Sequence, residues 1–329
     1  PSSIHKLDNL TFTFNASDAD TRIDTTLTNE IYVGSTLVQT ITTNNGADQS
    51  ITIDKSKLSD SSFTLKVTTK DKKGATASAT KTITRYNNAP TIAFTSSPQF
   101  TDNQNYVFKF KATDTDSQDP SLKTSILING TKLTGSFTIA PTATVSSGTI
   151  TTVKNAEYQV TIDKSKIPVG DSFTLKLETK DNSGAVGSAS KTITRSNRSP
   201  SVTIKTCPSS IHKLDNLTFT FNASDADTRI DTTLTNEIYV GSTLVQTITT
   251  NNGADQSITI DKSKLSDSSF TLKVTTKDKK GATASATKTI TRYNNAPRIT
   301  LSKTELSLAD GKIPKHDQTF SFKVTASDS

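Results

Sequence analysis

Aspartate recurs along the chain in two short patterns whose oxygen atoms could bind a hard metal ion. The first pattern is Ala-x-Asp-x-Asp and the second is Asp-x-x-Gly, and Asn residues stand in the segments between the repeats. Carboxylate and amide oxygens are the ligands that calcium prefers, with six to eight around each ion. The Ala-x-Asp-x-Asp pattern contains Asp18, Asp20, Asp114, Asp116, Asp225, Asp227 and, near the end, Asp328. The Asp-x-x-Gly pattern contains Asp71, Asp181 and Asp278.

The residues needed for catalysis are scarce. The chain has three His residues, of which His5 and His212 are copies of one position. No nucleophile elbow, phosphate-binding loop or HExxH motif occurs. We therefore expect a protein that is not an enzyme, and we interpret His5 as a surface residue at the start of a loop.

The charge of the chain is dispersed. The formal net charge is +7, carried by single Lys residues among Thr and Ser. Nucleic-acid-binding proteins usually cluster basic residues on one face, so we expect no nucleic-acid partner, and no apolar run long enough for membrane insertion occurs. The single cysteine, Cys207, cannot form a disulfide within the chain. The chain holds no Met, so we expect it to be a window on a longer polypeptide.

An internal repeat dominates the sequence. Residues 1–90 recur without change at residues 208–297, and residues 91–207 contain a looser copy. A period of about 100 residues predicts a string of separate modules. Two identical modules cannot have specialised apart from each other, which argues against a unique active site in either.

Alternation of apolar and polar residues predicts that each module is made of strands. Leu10–Ala16 and Phe63–Thr69 alternate with a period of two, and the long run Ala75–Arg85 predicts a final strand. Gly34 lies at the pivot of a predicted hairpin. No window has apolar residues at helical spacing. The sequence therefore predicts an all-β fold of tandem β-sandwiches. A final strand of eleven residues would span roughly 36 Å, so we expect the string to form an extended rod.

The sequence predicts four modules that differ in their first strand and in their middle hairpin. We place them at 1–89, 90–199, 200–296 and, incomplete, 297–329. Module 1 lacks the first strand that Val202–Ile204 provides in module 3, and module 2 has an insertion around Gly135–Asn155 that lengthens its middle hairpin. An alternative to a simple string is that unpaired edges complement each other between identical chains by strand addition.

The motifs resemble those of a known family. Ala16-Ser-Asp18-Ala-Asp20, the strand from Ile31 to Gly34, and Phe63 followed by Asp71 and Gly74 are similar to the tandem immunoglobulin-like repeats of bacterial surface proteins, close to cadherin-like and PKD-like modules. The resemblance covers essentially the whole chain and implies immunoglobulin-like sandwiches. In such a sandwich the two Asp-bearing loops share the end that the preceding linker meets.

The resemblance implies calcium, the one candidate cofactor, at the joints between modules. Two alternatives remain: the Asp residues bond to local backbone in Asx-turns, or they pair with Arg85, Arg198 and Arg292 in the linkers. The candidate ligands are Asn87, Asn88, Asp114, Asp116 and Asp181 at the first joint; Asn197, Asp225, Asp227 and Asp278 at the second; and Asn294, Asn295 and Asp328 at the third.

These observations favour a structural function. The leading hypothesis is a non-enzymatic spacer in a microbial cell-surface stalk, adhesin or extracellular filament, with neighbouring modules and identical chains as its partners. The alternative is a glycan- or protein-binding module of an adhesin, or a phage tail or capsid decoration, with Gly135–Asn155 as the contact loop. A third hypothesis is an accessory region of a secreted enzyme.

Overall fold

The computed structural model describes residues 2–301 and 324–327, and these are almost entirely β-structure. The chain divides into two compact units, Pro1–Ser196 and Asn197–Ser329. The first unit holds modules 1 and 2, and the second holds module 3 and the described part of the fourth. No helix in the described residues is long and apolar enough to cross a membrane.

Module 1 is a sandwich of two sheets, in the orders β1-β7-β6-β3-β4 and β2-β5. The alternation that predicted its strands places Leu10, Ile31 and Ile83 between the sheets. The predicted hairpin turns at Gly34, whose φ is +60°. The strands are β1 Ser3–His5, β2 Leu10–Asn15, β3 Thr26–Val33, β4 Thr36–Asn44, β5 Asp48–Ile53, β6 Phe63–Lys70 and β7 Thr76–Tyr86.

Module 2 has the same plan with larger sheets, in the orders β13-β16-β10-β8 and β14-β15-β11-β17-β18-β9, with β12 pairing β11. The insertion supplies β13 to one sheet and β14 to the other, so it extends the framework of the sandwich. The strands are β8 Thr91–Ser96, β9 Phe100–Thr101, β10 Tyr106–Thr113, β11 Ser121–Ile128, β12 Thr131–Lys132, β13 Phe137–Ala140, β14 Thr144–Ser146, β15 Thr149–Val153, β16 Glu157–Ile162, β17 Ser172–Lys180 and β18 Val186–Ser196.

Module 3 repeats module 1 with one more strand, in the orders β19-β21-β24 and β20-β26-β25-β22-β23. In the described part of the fourth module, two strands pair antiparallel. The strands are β19 Ser201–Thr206, β20 Ser210–His212, β21 Leu217–Ser224, β22 Thr233–Val240, β23 Thr243–Asn251, β24 Asp255–Ile260, β25 Phe270–Lys277, β26 Thr283–Tyr293, β27 Arg298–Leu301 and β28 Val324–Ser327.

Two recurring details hold each sandwich together. The final strands β7, β18 and β26 each have eleven residues, as predicted. A short 3-10 turn after β5, β16 and β24 is capped by an Asp whose carboxylate accepts a backbone N–H two residues later. The turns are Lys55–Lys57, Lys164–Lys166 and Lys262–Lys264. In each module two sheets pack together, antiparallel except for one short edge strand that pairs in parallel with the final strand. This architecture is the tandem immunoglobulin-like sandwich that the sequence predicted.

Candidate metal centre at the module joint

The acidic loops of module 2 come together at one end of its sandwich. Asp114 and Asp119 lie in the connection between β10 and β11, and Asp181 begins the turn between β17 and β18. Each carboxylate is oriented by a backbone N–H: Asp114 accepts from Asp116 at 2.8 Å, Asp119 accepts from Asn182 at 2.9 Å, and Asp181 accepts from Ala185 at 2.8 Å. The predicted local backbone bonds are therefore present at Asp114 and Asp181, whereas Asp119 bonds to a distant loop. They occupy one oxygen of each carboxylate, and the other oxygen of Asp181 accepts from Asn87.

The carboxylates of Asp114, Asp119 and Asp181 form a compact group of oxygens. One oxygen from each lies within 4.8 Å of the other two. All three residues are buried, with Asp119 fully inaccessible. Within the described residues, Oδ2 of Asp114 and Oδ2 of Asp119 have no hydrogen-bond partner. A buried, unpaired carboxylate oxygen is costly, so this arrangement fits a cation bound among the three acids.

The electrostatics of Asp114 agree with that fit. Burial raises its pKa, and the nearby carboxylates of Asp116, Asp119 and Asp181 raise it further against a hydrogen bond from the Asp116 backbone. Ionisation of Asp114 is therefore less favourable than in water when no cation is bound. A divalent ion would reverse this effect by favouring the charged form.

The linker of module 1 bonds directly to these loops. Asn87 donates from Nδ2 to Asp181 at 2.9 Å. Asn88 donates its backbone N–H to Asp116 at 2.7 Å and its Nδ2 to the other oxygen of Asp116 at 2.6 Å. Burial would raise the pKa of Asp116, but the hydrogen bonds from Asn88 and the proximity of His5 outweigh it and lower that pKa. All five residues predicted for the first joint are thus brought together.

His5 also belongs to this joint, so the prediction of a surface loop residue was wrong. Its side chain is fully buried because β1 pairs in parallel with β7 and carries the ring toward module 2. Nδ1 accepts the Leu7 N–H at 3.1 Å, which leaves the proton of the neutral ring on Nε2. Nε2 lies 3.1 Å from Oδ1 of Asn87 and 3.3 Å from Oδ2 of Asp116. His5 therefore acts as a hydrogen-bond donor at the joint.

Asp119 is the second functional residue that sequence reasoning missed. A signal was present, because an Asp follows the Ala-x-Asp-x-Asp pattern by three or four residues in each complete module, at Asp24, Asp119 and Asp231. Its carboxylate joins two groups of candidate ligands, one with Asp114 and Asp181 and the other with His5 and Asp116. Because the ligand atoms of the first group are all oxygen, the residues present fit calcium better than a metal that prefers nitrogen or sulfur.

Module 3 carries a related centre. Oxygens of Asp225, Asp227 and Asp231 lie within 4.8 Å of one another, and all three residues are buried. Within the described residues, Oδ2 of Asp225 and Oδ2 of Asp231 have no hydrogen-bond partner. Burial raises the pKa of Asp225, and the neighbouring carboxylates of Asp227, Asp231 and Asp278 add to that increase.

The linker before module 3 differs from the first one by a positive charge. Asn197 donates to Asp278 at 2.8 Å, as Asn87 does to Asp181. Arg198 takes the place of Asn88: its backbone N–H bonds to Asp227 at 2.9 Å and its Nε bonds to the other oxygen at 2.6 Å. Pairing of Asp with a linker Arg, the second alternative, therefore holds for Arg198.

The other two Arg residues of the linkers bond elsewhere. Arg85 donates to the carbonyl of Ser59 at 3.1 Å, and Arg292 donates to the carbonyl of Ser266 at 3.3 Å. These bonds hold each final strand against the loop that precedes β6 or β25. Neither Arg contributes charge to an acidic cluster through these contacts.

The remaining predicted positions do not form a comparable centre in the described residues. Asp18, Asp20 and Asp24 lie within ligand distance of one another, but Asp20 is exposed and Asp18 only half-buried. Asn294 and Asn295 are exposed, and Asn294 donates to the Asn295 carbonyl at 3.2 Å. Asp328, the acidic residue predicted for the third joint, lies outside the described residues.

Comparisons with known proteins bear on the fold. No family model and no curated protein matches the sequence. The chain is similar to a solved tetra-tandem repeat from the extending region of a large adhesion protein, with 18% identity and a TM-score of 0.37 over 92% of this chain and 76% of that one. It is also similar to extracellular domains EC3–6 of protocadherin gammaB7, with 14% identity and a TM-score of 0.35 over 100% and 82% of the two chains.

A third similar structure is SGBP-B of the mixed-linkage glucan utilization locus of Bacteroides ovatus, solved with a mixed-linkage heptasaccharide. It is 14% identical, with a TM-score of 0.20, over 94% of this chain and 70% of that one. The solved structures that this chain resembles thus include tandem repeats of an adhesion protein and cadherin ectodomains, as its motifs predicted. At these identities and TM-scores, the functions of those proteins do not transfer to this chain.

Proposed function

We propose that this chain is a non-enzymatic spacer of tandem immunoglobulin-like modules in an extracellular surface stalk, adhesin or filament, and that calcium stiffens its joints. The observation that carries the proposal is the first joint. There, His5 and the linker Asn residues of module 1 bond to acidic loops of module 2, and two buried carboxylate oxygens of these loops have no hydrogen-bond partner within the described residues.

The contacts across this joint support a mechanical role. Asn87, Asn88 and His5 reach two carboxylates of the next module, those of Asp181 and Asp116. Asp8 adds a further contact by accepting from Gln118 at 2.9 Å. A linker with so many charge-assisted bonds has little freedom to bend. Calcium bound by Asp114, Asp119 and Asp181 would neutralise the carboxylates that resist being buried together. Repeat number would then set the reach of the protein, and the joints would set its stiffness.

Calcium titration of the whole chain tests the proposal. We expect isothermal calorimetry to show saturable calcium binding, and thermal melts to show a higher Tm with excess calcium than with EDTA. At a calcium concentration of 100 times Kd, mass action gives about 2.7 kcal/mol of stabilisation. Magnesium is the matched control: it is smaller and keeps its waters, so it should stabilise less.

Small-angle scattering supplies the mechanical measurement. When calcium replaces EDTA, we expect the longest interatomic distances to fall within a narrower range, because the joints then sample fewer angles. An unchanged melt in excess EDTA would remove calcium from the proposal. Scattering from a collapsed particle at all calcium concentrations would remove the spacer.

A further inference from the structure

The strands β4 and β23 form long open edges in modules 1 and 3. Each strand has nine residues and lies at the end of its five-stranded sheet, where it pairs with β3 or β22 on one side. On the other side it has no partner strand within the described residues. Module 3 includes its preceding linker and its first strand β19, and β23 is open there all the same. The open edge is therefore a property of the repeated module itself.

Module 2 covers the equivalent edge with a strand of its own. Its β15 occupies the place of β4 beside β11, and the insertion adds β14 outside it. The new edge strand β14 has only three residues, and very short edge strands limit pairing with other chains. The other edge strands in the described part of the chain have six residues or fewer. Modules 1 and 3 thus keep the longest open edges.

The open edge carries no charge. Both strands have the sequence Thr-Leu-Val-Gln-Thr-Ile-Thr-Thr-Asn, without Lys, Arg, Asp, Glu or Pro. Charged side chains and Pro are common means by which proteins protect an edge from pairing. Val38 has no partner on β3, which marks a bulge, but Gln39–Asn44 pair regularly with that strand. A regular, uncharged stretch of six residues is therefore available on the free side of β4.

Apolar side chains along this edge are incompletely covered. Ile41 and Val38 pack on the core of module 1 but are only half-buried. Their copies Ile248 and Val245 are half-buried in module 3 as well, although the rest of that core is complete. A strand added beside β4 or β23 would cover these side chains and bond to the free backbone groups of the edge.

The strand is complementary to itself. An antiparallel pair with a two-fold axis through Ile41 places the two Ile41 side chains opposite each other and Thr40 opposite Thr42 of the copy. This register keeps the core faces of both sheets on the same side of the joined sheet. No like charges meet in it. A strongly charged protein would find no complementary charge on the edge, so the edge favours a second copy of this chain.

We propose that β4 and β23 are self-association edges, at which a module pairs antiparallel with the same edge of a second copy of this chain. The inference extends the proposed function by naming the surface that joins identical chains, and it does not depend on calcium. One pair of strands is a small interface of the kind that binds weakly, below about 1,200 Å². Each chain carries the edge twice, and two contacts per chain raise the overall affinity where both are made.

Sedimentation equilibrium of the full chain tests the proposal. The salt concentration is about 0.15 M, at which the net charge of +7 is largely screened. We expect the mean molar mass to rise from that of one chain to at least that of two between roughly 10 μM and 1 mM. The combined substitutions Thr40→Lys and Thr247→Lys place a charge on each exposed edge. This variant should need at least about tenfold higher concentrations for the same mean mass.

A matched variant controls for the added charge. Thr82→Lys with Thr289→Lys introduces the same side chains on β7 and β26, at exposed positions three strands away from the open edge. This variant should associate as the parent chain does. Because modules 1 and 3 have the same edge, the single variants Thr40→Lys and Thr247→Lys should each weaken association to a similar, intermediate extent.

Hydrogen exchange locates the contact. We expect exchange of the peptide that covers Gln39–Asn44, and of its identical copy in module 3, to slow as the chain concentration rises. This protection should be the same in calcium and in EDTA. Its failure would leave the calcium titration and the scattering measurements of the proposed function unaffected, so the two proposals are tested separately.

Four outcomes would overturn the proposal. One is the molar mass of a single chain at up to about 1 mM, a concentration that corresponds to a weak association. Another is an equal loss of association in the edge variant and in the control variant. The third is concentration-dependent protection elsewhere in the chain with none at Gln39–Asn44. The fourth is association that requires calcium, which would assign the contact to the acidic loops.

Discussion

Modules 1 and 3 have the same ninety residues and differ in what surrounds them. Asp20 is exposed in module 1, and its copy Asp227 is fully buried in module 3 beneath Arg198. Phe14 is half-buried, and its copy Phe221 is fully buried beneath β19. The sandwich therefore forms from local sequence in both places. Burial of the acidic loops comes from the preceding linker, and burial of the Phe pair comes from the first strand.

The largest loss of stability should follow from a substitution in β19, the strand that covers β21 in module 3. Ile204→Lys should destabilise this module by about 2–3 kcal/mol. Part of the roughly 1.5–3 kcal/mol that a fully buried aliphatic side chain contributes is lost, because Ile204 is half-buried, and a charge is placed against Phe221. Module 3 would then resemble module 1. The measurement is the urea dependence of the reaction of Cys207, the chain's single thiol, with a thiol reagent.

Thr203→Lys is the control for this change. It introduces the same side chain on the exposed face of β19 and should have an effect below about 0.5 kcal/mol. Equal effects of the two substitutions would show that β19 contributes charge or strand pairing and not core burial, and the comparison of the two modules would fail.

The second prediction concerns the linker. Arg198→Ala should destabilise module 3 by about 2 kcal/mol, because hydrogen bonds to charged groups contribute about 1.5–3 kcal/mol and Asp227 stays buried. The acidic loop would then approach the open state of its copy in module 1. Thiol protection of Cys207, nine residues along the chain, is again the measurement. Arg198→Lys, which keeps the charge but not the geometry at Nε, should recover part of the loss.

The strands and loops that all the modules have in common are also the ones that the sequence predicted. Alternation at Leu10–Ala16 and Phe63–Thr69 survives in every copy because it reflects burial between two sheets, which each module provides for itself. The five candidate ligands of the first joint came from motifs whose loops share one end of such a sandwich. These features depend on local pattern and fold, and both can be derived from a single sequence.

What the sequence did not predict depends on contacts between segments far apart in the chain. His5 lies 111 positions before Asp116, on a strand of three residues, and so short a strand has no detectable period. The position of Arg198 on Asp227 was one of several alternatives because two other Arg residues occupy linker positions. Only the three-dimensional arrangement separates an Arg that faces an acidic loop from one that holds a final strand.

The third prediction uses the three copies of the acid that was missed. Asp119→Asn and Asp231→Asn should each lower the calcium affinity of one site by about tenfold, because a buried carboxylate ligand becomes neutral. Asp24→Asn should change calcium binding little, since the neighbouring Asp18 and Asp20 are half-buried and exposed. Calorimetric titration of the three variants measures this series. If Asp24→Asn had the same effect as the others, calcium binding would depend on the loop alone and not on the joint.

The smallest predicted effect is the change in Tm caused by Asp225→Asn. Its sign should be opposite with and without calcium. Burial and neighbouring carboxylates raise the pKa of Asp225 in the folded protein. Without calcium, its contribution to stability is therefore greatest below the ordinary carboxyl pKa of about 3.9 and falls as the pH rises through the raised value. Asp225→Asn keeps the oxygen that accepts the Asp227 N–H and removes this penalty. We expect a slightly higher Tm than the parent chain at pH 7 in EDTA, and no difference at pH 3.

With excess calcium the Asp225→Asn variant should have a lower Tm than the parent chain. The variant has lost a charged ligand, whereas the parent chain is stabilised by the bound ion. Asp18→Asn is the control, since the copy in module 1 is only half-buried and should shift neither melt. A variant that melts below the parent chain in both conditions would mean that the Asp225 carboxylate is stabilised in the folded protein by partners other than a cation. In that case the unpaired oxygens would no longer support a metal centre in module 3, while the one at the first joint would still be tested by Asp119→Asn.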